Sequence, residues 1–485
     1  QVFGQENLLM NNELSNDLRF QKMARHNIEK WSLGYALLKS YINISFRLYF
    51  KKVVVRGKSN IPKNEAVIFA PNHQNAMIDA LAVLTTSQGQ PVFLARADIF
   101  KKPIINAILT YLKIMPVYRI RDGYGNLQQN EEIMKITTDI LSKAHPMVIL
   151  PEGNHAGYRR LRPLKKGICR MAFQAEQFSN YQLGIKIVPV GLDFSNYYKH
   201  NQVLFVNYGK AIDISEYLSL FQENPQKGNN ELRDRIYNEL IKYMVHIKSR
   251  ENYETINELR RFYKYRMKDL LGLSNCRQPN KFLADKALIA VLEEEEKDNH
   301  EKMKKLHKEV HTYKRSLKLL KLRNWVLNRP RYGIVSLAGE FFLLLLALPF
   351  FIYGFLNNII PYIIPVFVGR SVKDPQFLSS FKYGVALLSF PVFYALQTVF
   401  ISVFTAGFLV PLLYLLSLVP FGLIALRYYS GLRKHFAKWR YNYMKKKKNP
   451  ILIKAIELRK QVFSQVDEIM KRRSETMHEA YQHAA

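Results

Sequence analysis

In the stretch Ala70-Pro-Asn-His-Gln-Asn-Ala-Met-Ile-Asp79, an imidazole (His73) and a carboxylate (Asp79) stand six positions apart. They fall where an apolar run, Ala66 to Ala70, gives way to a helix-like segment. Side chains at such a strand-to-helix junction lie at the edge of a sheet, where α/β domains place their ligands. A neighbouring carboxylate can hold one imidazole tautomer so that the other ring nitrogen accepts a proton, which makes the pair a candidate general base. The plainer alternative is a satisfied histidine followed by an acid that complements a helix N-terminus. On an ideal helix, positions six apart are rotated by about 120°, so the two groups meet only if His73 lies on the turn before the helix. Pro71-Asn72 permits that turn.

The elements that must position this pair form an α/β pattern. Between Val53 and about Lys210, β-rich runs (Ala66 to Ala70, Pro91 to Ala95, Met147 to Leu150, Ile185 to Val190) alternate with helix-like segments, which predicts an α/β, mixed-sheet domain with flanking helices over 53–211. Ahead of it, residues 1–22 read as a polar leader with no signal-peptide pattern, and Met23 is a candidate start. Residues 23–52 carry the aromatic stretch Trp31 to Phe50, interrupted by Lys39 and Arg47. That composition suits a helix lying at a membrane interface. Residues 212–330 read as a charged helical region.

Residues 331–428 read as transmembrane helices. Val335 to Leu356 is long enough to span, Ile359 to Val368 is short and proline-interrupted, and Val385 to Tyr428 holds two spans with a break near Phe408 to Pro411. Residues 429–485 form a basic helical tail. The basic flanks Arg315 to Arg331 and Arg427 to Lys448 are both placed in the cytoplasm by the positive-inside rule, which predicts an even number of crossings arranged as two hairpins. The catalytic domain and the tail then share the cytoplasmic side.

The 485 residues carry 72 Lys and Arg against 39 Asp and Glu, a formal net charge of +33. The partner should be anionic: nucleic acid, a phosphorylated metabolite or an acidic membrane surface. The basic clusters flank apolar segments rather than a nucleic-acid reader motif, so nucleic acid is disfavoured. The two cysteines, Cys169 and Cys276, supply neither a disulfide framework nor a Cys-based zinc site. A reducing compartment follows, with Cys169 expected as a small buried helix residue.

Four further stretches accompany the first: Met115-Pro-Val-Tyr-Arg-Ile-Arg-Asp-Gly123, Ile149-Leu-Pro-Glu-Gly-Asn-His155, Gly157-Tyr-Arg-Arg-Leu-Arg-Pro-Leu-Lys-Lys-Gly167 and Ile187-Val-Pro-Val190. In this order, over about 120 residues, the set resembles the signature blocks of the glycerolipid acyltransferases, the glycerol-3-phosphate and 1-acylglycerol-3-phosphate acyltransferase superfamily. The resemblance covers Val53 to Ile212. It implies His73 as catalytic base with Asp79 as its orienting partner. Arg119 and Arg121, Glu152, Gly153, Asn154 and Lys165 are implied as substrate-binding, with Glu152 on a glycerol hydroxyl. Lys166, Gly167 and Pro189 also fall on block positions, and Tyr208-Gly-Lys210 is similar to the family's strand-end Gly-Lys.

Two departures stand out. Five residues separate His73 from Asp79 where four is commonest, a lengthening similar to that of the glycerol 3-phosphate branch. The Thr-Arg of the third block is replaced by Asn154-His155, which removes a bidentate phosphate ligand; Arg159, Arg160 or Arg162 is the candidate replacement.

Acyl transfer from a thioester to an alcohol needs a base of near-neutral pKa, typically worth about 10²–10⁴-fold. With no serine elbow, nucleotide loop or metal cluster in the sequence, direct transfer without an acyl-enzyme or cofactor is expected. The donor is acyl-CoA or acyl carrier protein, the first-choice acceptor is glycerol 3-phosphate (or dihydroxyacetone phosphate), and the partners are membrane lipids. Two alternatives stand beside it: acceptance of 1-acylglycerol 3-phosphate, and an inactive lipid-binding membrane protein of the same fold.

Overall fold

Buried parallel strands read as unbroken apolar runs, and Val67–Pro71, buried at every position, lies at the centre of a mixed sheet. The computed structural model describes residues 28–117, 127–273, 275 and 277–484; the leader and Cys276 lie outside them. The chain divides into two units. One runs to Val245 and takes in Pro375–Ser380; the other comprises His246–Asp374 and Phe381–Ala485.

The first unit contains helices α1 (Leu33–Tyr49), α2 (Ala76–Thr86), α3 (Pro103–Tyr111), α4 (Leu127–Ser142), α5 (Gly167–Phe178), α6 (Leu218–Glu223) and α7 (Pro225–Tyr243). Its strands are β1 (Lys52–Arg56), β2 (Val67–Pro71), β3 (Val92–Arg96), β4 (Ile114–Val117), β5 (Met147–Val148), β6 (Lys186–Phe194), β7 (Val203–Tyr208) and β8 (Ile212–Asp213). The sheet order is β1-β7-β6-β2-β5-β3-β4, with β8 on β6. β6 runs parallel to β2 and antiparallel to β7 and β8, which makes the sheet mixed. The strand runs read from the sequence correspond to β2, β3, β5 and β6.

Ser32 caps α1 by accepting the Tyr35 N–H. The helix buries Tyr35 and Phe46 and exposes Leu33, Leu37, Ile44 and Leu48, the one-sided apolar exposure that an interfacial helix requires. The core under the sheet joins Ile68, Val92, Met147 and Ile187 to Phe173 of α5 and to Phe221, Leu232, Ile236 and Leu240 of α6 and α7. Phe173 and Phe221 stack with centroids 4.2 Å apart. The boundary expected at 211 is therefore too early. α6 and α7 bury their apolar faces in the α/β core, and the unit ends at Val245.

The second unit is helical among its described residues. It contains α8 (Tyr253–Leu270), α9 (Gln278–Asp298), α10 (His300–Leu319), α11 (Ile334–Arg370), α12 (Leu378–Val403, whose residues up to Ser380 belong to the first unit), α13 (Leu409–Lys446), α14 (Pro450–Arg472) and α15 (Ser474–Ala484). Three helices among the described residues, Ile334–Arg370, Pro375–Val403 and Leu409–Lys446, are long and apolar enough to cross a membrane. The first differs from expectation, because Val335 to Leu356 and Ile359 to Val368 form one continuous helix despite Pro349, Pro361 and Pro365. The hairpin expected there is absent. In apolar surroundings, neighbouring polar groups re-satisfy the backbone that proline frees, and the Ser389 hydroxyl donates to the Pro361 carbonyl at 3.1 Å. The later break falls at 404–408, just ahead of the expected position.

α11 and α13 are antiparallel. The Tyr332 N–H donates to Asn442, and Glu340 pairs with His435 and Lys438. Further along, the Asn358 amide donates to the Leu418 carbonyl.

Candidate active site

The register of β2 against β5 brings two carboxylate-bearing loops together. Phe69 lies opposite Val148, and His73 and Glu152 each stand four residues beyond that pair (73 − 69 and 152 − 148). Both loops leave the carboxyl ends of parallel strands, the edge at which open α/β sheets bind ligands. Asn72 fixes the exit of β2 on its other side: its amide donates to the Leu192 carbonyl at 3.2 Å and its Oδ1 accepts the Leu192 N–H at 2.6 Å.

His73 therefore sits on the turn before α2, and the six-residue separation from Asp79 closes. The Nδ1–H of His73 donates to Asp79 Oδ2 across 3.0 Å. The same oxygen accepts the N–H of Gln74 at 2.7 Å and of Asn75 at 2.6 Å. Asp79 is fully buried and His73 is partly exposed. One carboxylate thus holds the turn and the imidazole together, leaving Nε2 as the ring's acceptor. Ala76, the first residue of α2, takes φ +42°, a conformation that costs an L-residue about 1–2 kcal/mol. Strain of this kind persists where surrounding hydrogen bonds over-determine the backbone.

Glu152 holds the turn from the other side. Its Oε1 accepts the His73 N–H at 2.6 Å, its Oε2 accepts the Arg162 N–H at 2.9 Å, and the Gln74 amide donates to both oxygens at 3.3 Å. Burial pushes the Glu152 carboxyl up to about 8, with the His73 and Arg162 N–H groups pulling the other way. Both Glu152 oxygens are thus engaged inside the protein, one of them on the His73 N–H.

Gly153 takes φ +64°, and a Cβ there would lie 3.3 Å from Lys165 Cγ. Asn154 accepts the His155 N–H at 2.9 Å through its own side chain. Lys165 is exposed, and its N–H donates to the Pro151 carbonyl at 2.8 Å. His155 packs edge-on against His73, with ring centroids 5.1 Å apart and planes at 70°.

Of the three arginines proposed to replace the absent guanidinium, Arg159 is taken up elsewhere. It is buried, donates to the Phe194 carbonyl, lies 3.6 Å from Asp193 and stacks over Tyr197. Arg160 and Arg162 are half-buried. The Arg160 carbonyl accepts from Gln74 at 3.1 Å, which ties that backbone to the turn that carries His73. Arg119 and Arg121 lie outside the described residues. Cys169 is buried, and burial pushes its thiol up to about 12, which removes it as a thiolate nucleophile. The described residues contain no group of three or more His, Cys, Asp or Glu able to hold a metal.

Gln74, Asn72 and Phe377 escape a reading of the sequence. Gln74 and Asn72 sit within the His73 stretch, and their polarity inside an apolar context was the available signal. Phe377 packs against His155 at 4.5 Å from a segment with no motif of its own.

Residues 52–193 match the family model described as Acyltransferase: the chain carries a domain of the acyltransferase family, a class of enzyme. Over 215 residues it is 27% identical to the 1-acyl-sn-glycerol-3-phosphate acyltransferase of Borreliella burgdorferi, a match covering 43% of this chain and 79% of that protein. Over 221 residues it is 23% identical to glycerol-3-phosphate O-acyltransferase 2 of Saccharomyces cerevisiae, covering 44% of this chain and 28% of that protein. The solved 1-acyl-sn-glycerophosphate acyltransferase PlsC of Thermotoga maritima aligns with a TM-score of 0.29 at 21% identity, covering 41% of this chain and 79% of that one.

Proposed function

We propose that this protein moves a fatty acyl group from a thioester donor, acyl-CoA or acyl carrier protein, to a hydroxyl of glycerol 3-phosphate or dihydroxyacetone phosphate in phospholipid biosynthesis. The observation that carries the reading is the 3.0 Å bond from His73 Nδ1 to the buried Asp79. It fixes the tautomer in which Nε2 can take the proton of an attacking hydroxyl. The hydroxyl oxygen attacks the thioester carbonyl carbon as its proton passes to Nε2. The tetrahedral intermediate collapses with cleavage of the C–S bond, and the departing thiolate takes the proton back from the imidazolium. No acyl-enzyme and no cofactor enter the reaction.

Cationic side chains hold the phosphate so that the hydroxyl meets His73. Lys165, Arg160 and Arg162 on the loop around Glu152 supply them, with Arg119 and Arg121 preceding that loop in the chain. The apolar face of α1 and the three long apolar helices keep the protein at a membrane, where the product lipid needs no aqueous transit. The excess of basic residues adheres to anionic lipid on the cytoplasmic side. Acceptance of 1-acylglycerol 3-phosphate is the second reading, favoured by the similarity to the Borreliella burgdorferi protein.

The test is a panel of acceptors offered with labelled acyl-CoA or acyl carrier protein to purified full-length protein in phospholipid vesicles. The expected result is acylation of glycerol 3-phosphate, lost by about 10²–10⁴-fold in His73→Ala. Wild-type transfer no greater than that of the variant on every acceptor overturns the enzymatic reading and leaves a lipid-binding protein of this fold.

A further inference from the structure

The segment Pro375–Ser380 opens the apolar helix that runs on to Val403, some 300 positions after His73, yet it belongs to the unit that carries the His73 turn. Two of its serines are buried, one against the end of α1 and one against that turn. The Ser379 hydroxyl meets the Tyr49 hydroxyl at 3.0 Å, and the Ser380 hydroxyl donates to the carbonyl of Asn75, the residue that opens α2, at 3.4 Å. Gln376 approaches Gly157, where an added Cβ would lie 3.6 Å from it and 2.5 Å from the Tyr198 hydroxyl. Between these anchors Phe377 stands edge-on to His155, with centroids 4.5 Å apart and planes at 89°. His155 in turn stands edge-on to His73.

Aromatic rings at these separations prefer the perpendicular arrangement. Asp79 fixes one nitrogen of His73 but leaves the ring free to rock about that bond; a second ring packed against its face opposes the rocking. His155 supplies that second ring, and Phe377 bears on His155 from beyond. Phe377 is 38% exposed, so its contact with His155 is not the by-product of burial in a core.

We propose that Phe377 is a positioning residue of the acyl-transfer site: acting through His155, it holds the His73 ring in the orientation that receives the acceptor's proton. The proposal rests on the acyl-transfer reading of this site. Phe377 itself touches no reacting atom. A misplacement of about 1 Å can cost about 10²-fold in rate without altering ground-state binding, so the effect belongs in kcat.

The experiment uses full-length protein in phospholipid vesicles, with three substitutions. In Phe377→Ala, kcat should fall about ten- to a hundredfold, with acceptor KM within about twofold of wild type and an unchanged thermal midpoint. Phe377→Tyr, which keeps the ring, should restore kcat. A photoreactive benzoylphenylalanine at 377 should crosslink to the peptide containing His155, with or without substrate.

Wild-type kcat in Phe377→Ala overturns the proposal. So does a loss of kcat that tracks a fall in thermal midpoint, or a crosslink landing elsewhere. If wild type acylates no acceptor, the reaction assigned to the site fails and the positioning role fails with it. The crosslink then still reports whether Phe377 packs on His155, which separates the two failures.

Discussion

The turn at the end of β2 and the interface between α11 and α13 both place polar groups away from water, with opposite chemistry. At the turn the buried groups are carboxylates. Asp79 and Glu152 between them accept the backbone N–H groups of His73, Gln74, Asn75 and Arg162. Between the helices the groups are neutral. The Asn358 amide donates to the Leu418 carbonyl at 3.2 Å and the Asn357 Oδ1 accepts the Tyr414 hydroxyl at 2.6 Å, while ions are confined to the end where Glu340 meets His435 and Lys438. Buried charge is costly unless its hydrogen bonds are made, and at the turn two backbone N–H groups and the His73 ring make them for Asp79. Neutral amides and hydroxyls suffice where the task is to join helices.

The sharpest way to break this contrast is Asp79→Asn. The three N–H groups converge on one oxygen, and a neutral amide oxygen holds them more weakly than the carboxylate does, so the tautomer of His73 is no longer fixed. Acyl transfer should drop by about 10²–10⁴-fold, as measured in the vesicle assay. Activity near wild type would show that the buried charge serves packing only.

Glu152 sharpens the contrast through pH. Its carboxyl lies at about 8 in the folded protein against an ordinary 4.5. Its contribution to stability is complete below about pH 4.5 and is lost as pH rises through about 8. Wild type should lose about 2–4 kcal/mol between pH 5 and 9 relative to Glu152→Gln, whose amide does not titrate. Thermal midpoints of the purified proteins across that range would check it, and parallel curves would count against the raised value.

A smaller effect is expected at the helix interface. A Cβ on Gly354 would lie 2.1 Å from the Phe421 carbonyl oxygen, so Gly354→Val should force α11 and α13 apart at a cost of about 1–3 kcal/mol. Acyl transfer per folded molecule should be unchanged, as read by activity normalised to the folded fraction. The smallest effect belongs to Ala76→Gly. Relief of the positive φ should add about 1 kcal/mol of stability, visible as a raised thermal midpoint.

The turn that carries His73 was the most legible part of the sequence, because its pattern is local. His73 and Asp79 lie within one turn, and the apolar run before them announces a strand. The role of Glu152 was half legible: its position in a motif was plain, but its engagement with the backbone depends on the β2–β5 register, which no short window of sequence contains. The continuity of α11 was misread because proline breaks helices in water, whereas Pro349, Pro361 and Pro365 sit in a helix with apolar surroundings. The end of the first unit was misread because α6 and α7 are charged on their outer faces and reveal their buried stripe only when packed. Phe377 had no signal, since its partner lies more than two hundred residues away.

The length of α11 carries a consequence of its own. Ile334–Arg370 is among the three described helices long and apolar enough to cross a membrane. It is unbroken over 37 residues, on the order of 55 Å at the α-helical rise, against a hydrocarbon core of about 30 Å. A rod that much longer than the lipid's oily interior has to lean over or carry whole turns out beyond it.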